Sequence, residues 1–220
     1  MEGISGSRAV RNETMNRAWG SEVQSREEKF ELKRQAVLRT AAALFRSKGV
    51  ENTALSDVAD ALNVSKPTIY YYFRNKDEVL IALIEAAVAQ FGDAEYHPED
   101  YPLAEEASSR ERLERFLRRA VRILFDEIGT AFPIWLPQLL DGDKRSQLVI
   151  IGKPVDEVAE KILADGIADG SFERSNATAT YRFIIGALRY IPVWEREHNL
   201  SPAEITEEFV SFVMRSVRRI

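Results

Sequence analysis

The sequence predicts an all-α chain of about nine helices. Three observations predict it. Apolar residues recur at three- and four-residue spacing through most of the chain. Ser, Thr, Asn and Pro open these segments, and Gly closes several of them. No alternating apolar and polar run is long enough for a sheet, and Lys144–Gly152 is the one weak candidate.

The elements follow in order. Residues 1–25 are rich in Gly, Ser, Asn and Arg, have no apolar period and read as a disordered arm. Arg8, Arg11 and Arg17 in this arm could touch phosphates, and Met15 is an alternative start. A helix begins near Arg26, carries Phe30, Val37, Ala41, Leu44 and Phe45, and stops at Gly49. Thr53 is expected to cap a short helix bearing Leu55, Val58, Ala59 and Leu62. Asn63-Val64 makes a tight corner, because Asn tolerates the left-handed conformation. Ser65 caps the next helix, with Pro67 in its first turn. Asn75-Lys-Asp-Glu78 has the form of a capping box and opens a helix to about Phe91.

A polar link, Gly92–Ser108, precedes a second helical region. Ser108–Ile128 carries Leu113, Phe116, Leu117, Ala120, Val121, Leu124 and Phe125 on one face. Ala131–Leu140 is short and broken by Pro133 and Pro137. Ser146–Ala168 follows, with a kink expected at Gly152/Pro154. Asn176–Glu197 contains Pro192, and Ser201-Pro-Ala-Glu204 opens the last helix. The expected domains are an arm over 1–25, a small domain over 26–75 and a helical body over 76–220.

Composition removes several function classes. The 220 residues hold no Cys, which excludes disulfides, thiolate zinc sites and a cysteine nucleophile. The two His, His97 and His198, both adjoin loop-like sequence and offer little to a catalytic triad or metal cluster. Asp141 and Asp143 could pair as carboxylates, although Asp-Gly-Asp reads more simply as a solvated turn. The expectation is no enzyme, no cofactor and no metal. No apolar run approaches the roughly 20 residues that cross a bilayer, and residues 1–25 lack a signal-peptide core. A cytoplasmic protein with no membrane partner is therefore expected.

The net charge of −5 is unevenly placed. Residues 29–80 carry nine Lys/Arg against six Asp/Glu, whereas residues 81–220 carry 17 against 24. A mildly basic segment is joined to an acidic body. Phosphate attraction acts within about 10 Å, so the basic segment can serve a polyanion despite the total.

Leu55–Phe73 reads as two helices joined by a corner. Ile69 and Phe73 stand four apart and share the buried face of the second helix. At about 100° per residue, Pro67, Thr68 and Tyr71 then point nearly opposite, with Tyr70 and Tyr72 on the flanks. Lys66 stands at the helix start, where its long side chain can swing out. Hydroxyls, a proline and tyrosines on one face suit the major groove of double-stranded DNA, with phosphates at the rim. Lys76, in the first turn of the following helix, adds positive charge there. The competing reading is an ordinary helical hairpin, but Tyr70, Tyr71 and Tyr72 cannot all face inward.

These residues carry a resemblance. Thr53-Ala-Leu-Ser-Asp-Val-Ala59, Val64-Ser-Lys-Pro-Thr-Ile-Tyr-Tyr-Tyr-Phe73 and Asn75-Lys-Asp-Glu-Val-Leu80 resemble the TetR family of transcriptional regulators over roughly Phe30–Leu80. The resemblance implies a homodimer with an N-terminal helix-turn-helix and a helical ligand-binding body. It implies a repressor that binds a palindromic operator and leaves it when a small molecule binds. On matching positions it implies DNA contacts at Ser65, Lys66, Pro67, Thr68, Tyr70, Tyr71 and Lys76. Asn63 and Pro67 stand where family members often have Gly, and Pro67 removes a backbone donor to phosphate.

The body is less explicit. Phe125, Phe132, Trp135, Leu136, Leu139 and Leu140 cluster around the Pro-broken helix and form the candidate pocket for an apolar or aromatic effector, with plain core as the competing reading. Residues 163–172 and 179–183 faintly resemble family members that sense acyl-coenzyme A thioesters. Ala187, Tyr190, Trp194, Phe209, Phe212 and Val213 in the last two helices are the candidate dimer interface, against intrachain core. A body that serves instead as a protein-interaction or activating platform, with no small-molecule inducer, stays open.

Overall fold

The computed structural model describes residues 25–92, 107–127, 142–198 and 200–218. Among these residues there are eight helices and no strand: α1 (Arg26–Lys48), α2 (Leu55–Ala61), α3 (Lys66–Tyr72), α4 (Lys76–Gly92), α5 (Ser109–Phe125), α6 (Gly142–Ala168), α7 (Ala177–His198) and α8 (Pro202–Ser216). The arm and the expected helix Ala131–Leu140 lie outside the described residues.

Two compact units divide the chain, Met1–Val37 and Leu38–Ile220. In the first, α1 starts on a reciprocal cap that the sequence reading missed. The Glu28 amide donates to Ser25 Oγ at 3.0 Å, and the Ser25 amide donates to the Glu28 carboxylate at 2.7 Å. Glu31 then accepts from Arg34 and Gln35 along the exposed face.

The second unit begins with the rest of α1, where Leu38, Ala41, Ala42 and Phe45 are buried. Gly49 ends this helix at φ +85°, a conformation that costs glycine little. Thr53 does not cap α2, contrary to the sequence expectation. It is buried, and its hydroxyl donates back to the Gly49 carbonyl at 2.8 Å. The cap residue is Ala54, whose amide donates to the Asp57 carboxylate at 3.0 Å. Alanine has no acceptor of its own, so the Asp57 half of the cap acts alone.

Asn63 takes φ +53° at the corner, as its position demands. The α3 cap is Ser65, but its hydroxyl bonds the Thr68 hydroxyl at 2.8 Å and no backbone amide. In the first turn of α4, Asn75 Oδ1 accepts from the Glu78 amide at 2.9 Å. The Glu78 carboxylate reaches past Asn75 to the Arg74 amide at 2.7 Å.

The body packs α4 to α8, five helices, around one core. α6 packs against α4, α5 and α7, and α8 packs against α5. Leu117, Val121, Ile162, Leu163, Tyr181, Ile191 and Ile205 lie at its centre. The apolar face foreseen for α5 is the buried one. Ser108–Glu111 and Ser201–Glu204 form complete capping boxes on α5 and α8. Lys144–Gly152, the weak strand candidate, is helical. It belongs to one 27-residue helix that runs through Pro154.

Two residues past the end of α6, Gly170 takes φ +80°. Phe172 then folds back onto Gly166 so closely that a Cβ there would stand 2.1 Å from the ring. The Phe172 amide donates to the Gly166 carbonyl at 2.8 Å, and the Glu173 amide to the Val217 carbonyl at 2.9 Å. This turn clasps the C-terminal end of α8 to the core.

Candidate nucleic-acid interface and effector cavity

α2 and α3 pack as a pair, with Val58, Ala59 and Ile69 almost wholly buried and Phe73 closing the end. Ala59 has no side chain beyond Cβ, which permits the close helix approach. Burial of Ile69 contributes about 1.5–3 kcal/mol and fixes the rotation of α3 about its axis. That rotation decides the opposite face. Ser65, Lys66, Pro67 and Thr68 are exposed, as are Tyr70 at 53% and Tyr71 at 66%. Tyr72 is half-buried and meets the Tyr71 ring edge-on, with centroids 5.2 Å apart. α3 and its cap Ser65 therefore expose six of the seven residues that the sequence singled out.

Lys76 is placed less simply. Its ammonium donates to the Val50 carbonyl at 2.7 Å, across the turn between α1 and α2. This bond uses one of its three donors and holds the turn against the start of α4. Sequence spacing carried no signal for it, because 26 residues separate the partners.

Only part of the predicted pocket can be placed. Phe125 is half-buried at the edge of the core, and Phe132, Trp135, Leu136, Leu139 and Leu140 lie outside the described residues. The body instead holds a cavity of about 180 Å³ among α4, α5, α6 and α7. Ile84, Phe91, Phe116, Ile123, Val155 and Leu188 supply much of its apolar wall. Its polar side chains, among the described residues, are Asp156, Tyr181 and Arg189. Tyr181 donates to Asp156 Oδ1 at 2.5 Å. Burial, with the neighbouring Asp156 carboxylate, pushes its phenol above the ordinary tyrosine range. The sequence reading missed these residues, since helical spacing marks them as core and does not show where core packing leaves a gap.

A salt bridge joins the two regions of the second unit. Lys144, in the first turns of α6, pairs with Asp77 in the first turn of α4. Asp77 is next to Lys76, and α6 lines the cavity further along through Leu148, Gly152 and Val155.

The predicted interface residues separate into two groups. Ala187, Tyr190 and Phe212 are exposed, whereas Phe209 and Val213 are buried in the chain's own core. α8 is amphipathic, and those two lie on its inner face. Phe183, which was not singled out, is 80% exposed and shares a stripe on α7 with Ala187 and Tyr190. The side chain of Trp194 lies outside the described residues.

Among the described residues no group of three His, Cys, Asp or Glu side chains could hold a metal. No described helix is long and apolar enough to cross a membrane.

Residues 37–83 match the family described as bacterial regulatory proteins, tetR family. Residues 106–217 match the tetracyclin repressor-like C-terminal domain. Over 46 residues the chain is 46% identical to a probable acrEF/envCD operon repressor of Escherichia coli, a match covering 21% of each protein. It is 25% identical over 138 residues to a fatty acid metabolism regulator protein of Bacillus subtilis, covering 62% of this chain and 69% of that one. Among solved structures, a transcriptional regulator of the TetR/AcrR family from Thermobifida fusca is 26% identical with a TM-score of 0.61. That likeness covers 85% of this chain and 99% of the other.

Proposed function

The chain belongs to the TetR family of DNA-binding transcriptional regulators, and from that premise we propose that it is a ligand-released repressor acting as a homodimer. Residues 26–75 form the DNA-binding domain, and residues 76–220 the body that binds effector and partner subunit. The observation that carries the first part is the outward face of α3 opposite buried Ile69 and Phe73. Pro67, Thr68 and Tyr71 read the major groove, while Ser65, Lys66, Tyr70 and Lys76 position the head on phosphates. Few charged groups reach base edges, so DNA shape and bridging water carry much of the specificity.

Two copies place two such helices on the halves of a palindromic operator. The exposed Phe183, Ala187 and Tyr190 on α7 and Phe212 on α8 support a four-helix interface between subunits. The effector occupies the apolar cavity among α4–α7. Its wall includes both α6 and α4, and the Lys144–Asp77 pair ties these helices together beside the DNA-binding head. A ligand that changes their packing therefore shifts the position of α3, which is the differential binding that release requires.

The experiment is operator binding by the full chain against its own promoter region. The double variant Lys66→Ala/Tyr71→Ala should bind far more weakly while keeping wild-type mass and thermal midpoint. Undiminished binding would remove α3 as the reading helix. A metabolite panel read by thermal shift and operator release tests the second part. A body that recruits a protein and ignores every small molecule would instead support the platform reading.

A further inference from the structure

The cavity's polar side chains are unequally partnered. Both oxygens of Asp156, its one acid among the described residues, are occupied: Oδ1 accepts from Tyr181 at 2.5 Å and Oδ2 from Arg182 at 3.2 Å. Arg182 also approaches Glu160 at 3.7 Å. The acid is therefore engaged by Tyr181 and by Arg182, which lies outside the cavity lining. Arg189 makes no hydrogen bond or ion pair within the described residues. Tyr181, Ile185, Leu188 and Arg189 recur at helical spacing, so one face of α7 lines the cavity and ends in a guanidinium with no hydrogen-bond or ion-pair partner among the described residues. Arg189 is exposed, which places its head at the mouth and not in the wall.

We infer that the effector is an amphipathic anion, with an apolar tail among α4, α5 and α6 and a carboxylate or phosphate head on Arg189. This rests on the reading that the cavity holds the effector. A planar guanidinium presents paired donors that match either head bidentately. It is better placed here than on open surface, because the apolar wall beside it excludes water from one side of the pair. An apolar cavity of about 150 Å³ takes one benzene ring. The space of about 180 Å³ therefore suits an aryl group or a medium-length chain. A cationic head would meet the like charge of Arg189, and among the described residues the one cavity carboxylate, Asp156, is already bonded to Tyr181 and Arg182.

The test uses the full chain and three probes, octanoate, octan-1-ol and octanoyl-coenzyme A, with affinities measured by calorimetry. Wild type should bind octanoate at least tenfold more tightly than the alcohol. Arg189→Gln should bring the two within about twofold while leaving alcohol affinity unchanged, which also shows that the variant is folded. Arg189→Lys should keep most of the preference. If octanoyl-coenzyme A binds most tightly and loses as much in Arg189→Gln, the head is the thioester's phosphates. If it does not, the head is the free carboxylate. Equal binding of octanoate and octanol by wild type would overturn the anionic head and leave the cavity reading standing. Failure of all three probes to bind would overturn both.

Discussion

The outer face of α3 and the apolar cavity of the body differ in how their residues are chosen. α3 has seven residues; Ile69 within it and Phe73 just after it anchor it, and the other positions follow from that rotation. The cavity draws on four helices and on residues as far apart as Ile84 and Arg189. A contact surface on one short helix is a local property. A gap among four helices exists only where their packing fails to fill space. The two should therefore respond differently to substitution.

The largest expected difference is at α3. Lys66→Ala/Tyr71→Ala should lower operator affinity about a hundredfold, since each lost contact is worth about 1–3 kcal/mol. Electrophoretic titration at fixed salt checks it, and thermal stability should stay within about 0.5 kcal/mol. Substitutions in the body should reverse that pattern. Gly166→Ala drives a methyl into the Phe172 ring, and overpacking of this kind costs about 1–3 kcal/mol in stability. Combining it with Phe172→Leu should recover part of the loss, so that chemical denaturation of the four proteins gives a non-additive cycle.

Smaller effects sharpen the boundary between the two regions. Asn63→Ala at φ +53° should destabilise by about 1 kcal/mol, while Asn63→Gly should be near neutral. Lys144→Ala should leave operator affinity close to wild type but reduce the effector's ability to lower it by severalfold, in the range of about 0.5–2 kcal/mol of coupling. Unchanged release in that variant would remove the Lys144–Asp77 pair from the path between the regions.

Acid should act mainly on the body. The Ser108 cap holds Glu111 below its ordinary value, and the Ser201 cap does the same for Glu204. Asp165 is lowered by Lys161 and Arg112, and Asp169 by Ser109 and Ser171. A lowered folded-state value means that their contribution is complete above the unfolded carboxylate range. It is lost as pH falls through the folded values. Thermal midpoints should accordingly be level above about pH 5 and decline below about pH 4. A midpoint that rises on acidification through this range would contradict the assignment.

Legibility followed the same division. Asn63, Pro67 and the Ile69/Phe73 pair each carry a local conformational or periodic signal, so the corner and the face of α3 could be read directly. Thr53 could not, because its hydroxyl has a better partner in the Gly49 carbonyl than in the helix it precedes. Lys144–Gly152 gave a weak strand signal, its β-branched residues being grouped, inside a segment whose helical reading from Ser146 onward the 27-residue helix bears out. Phe209 and Val213 have the right spacing for an interface, but spacing does not say which of two apolar surfaces a helix face meets.

By itself the sequence determined the helical class, the corner at Asn63, the basic segment around α3 and the residues that α3 exposes. Each depends on backbone preference or on spacing within one helix. Tertiary structure alone decided the cavity, the place of Arg189 at its mouth, the Lys144–Asp77 link and the division of α8 between core and surface. Those depend on which helices meet and on how completely their side chains fill the space between them.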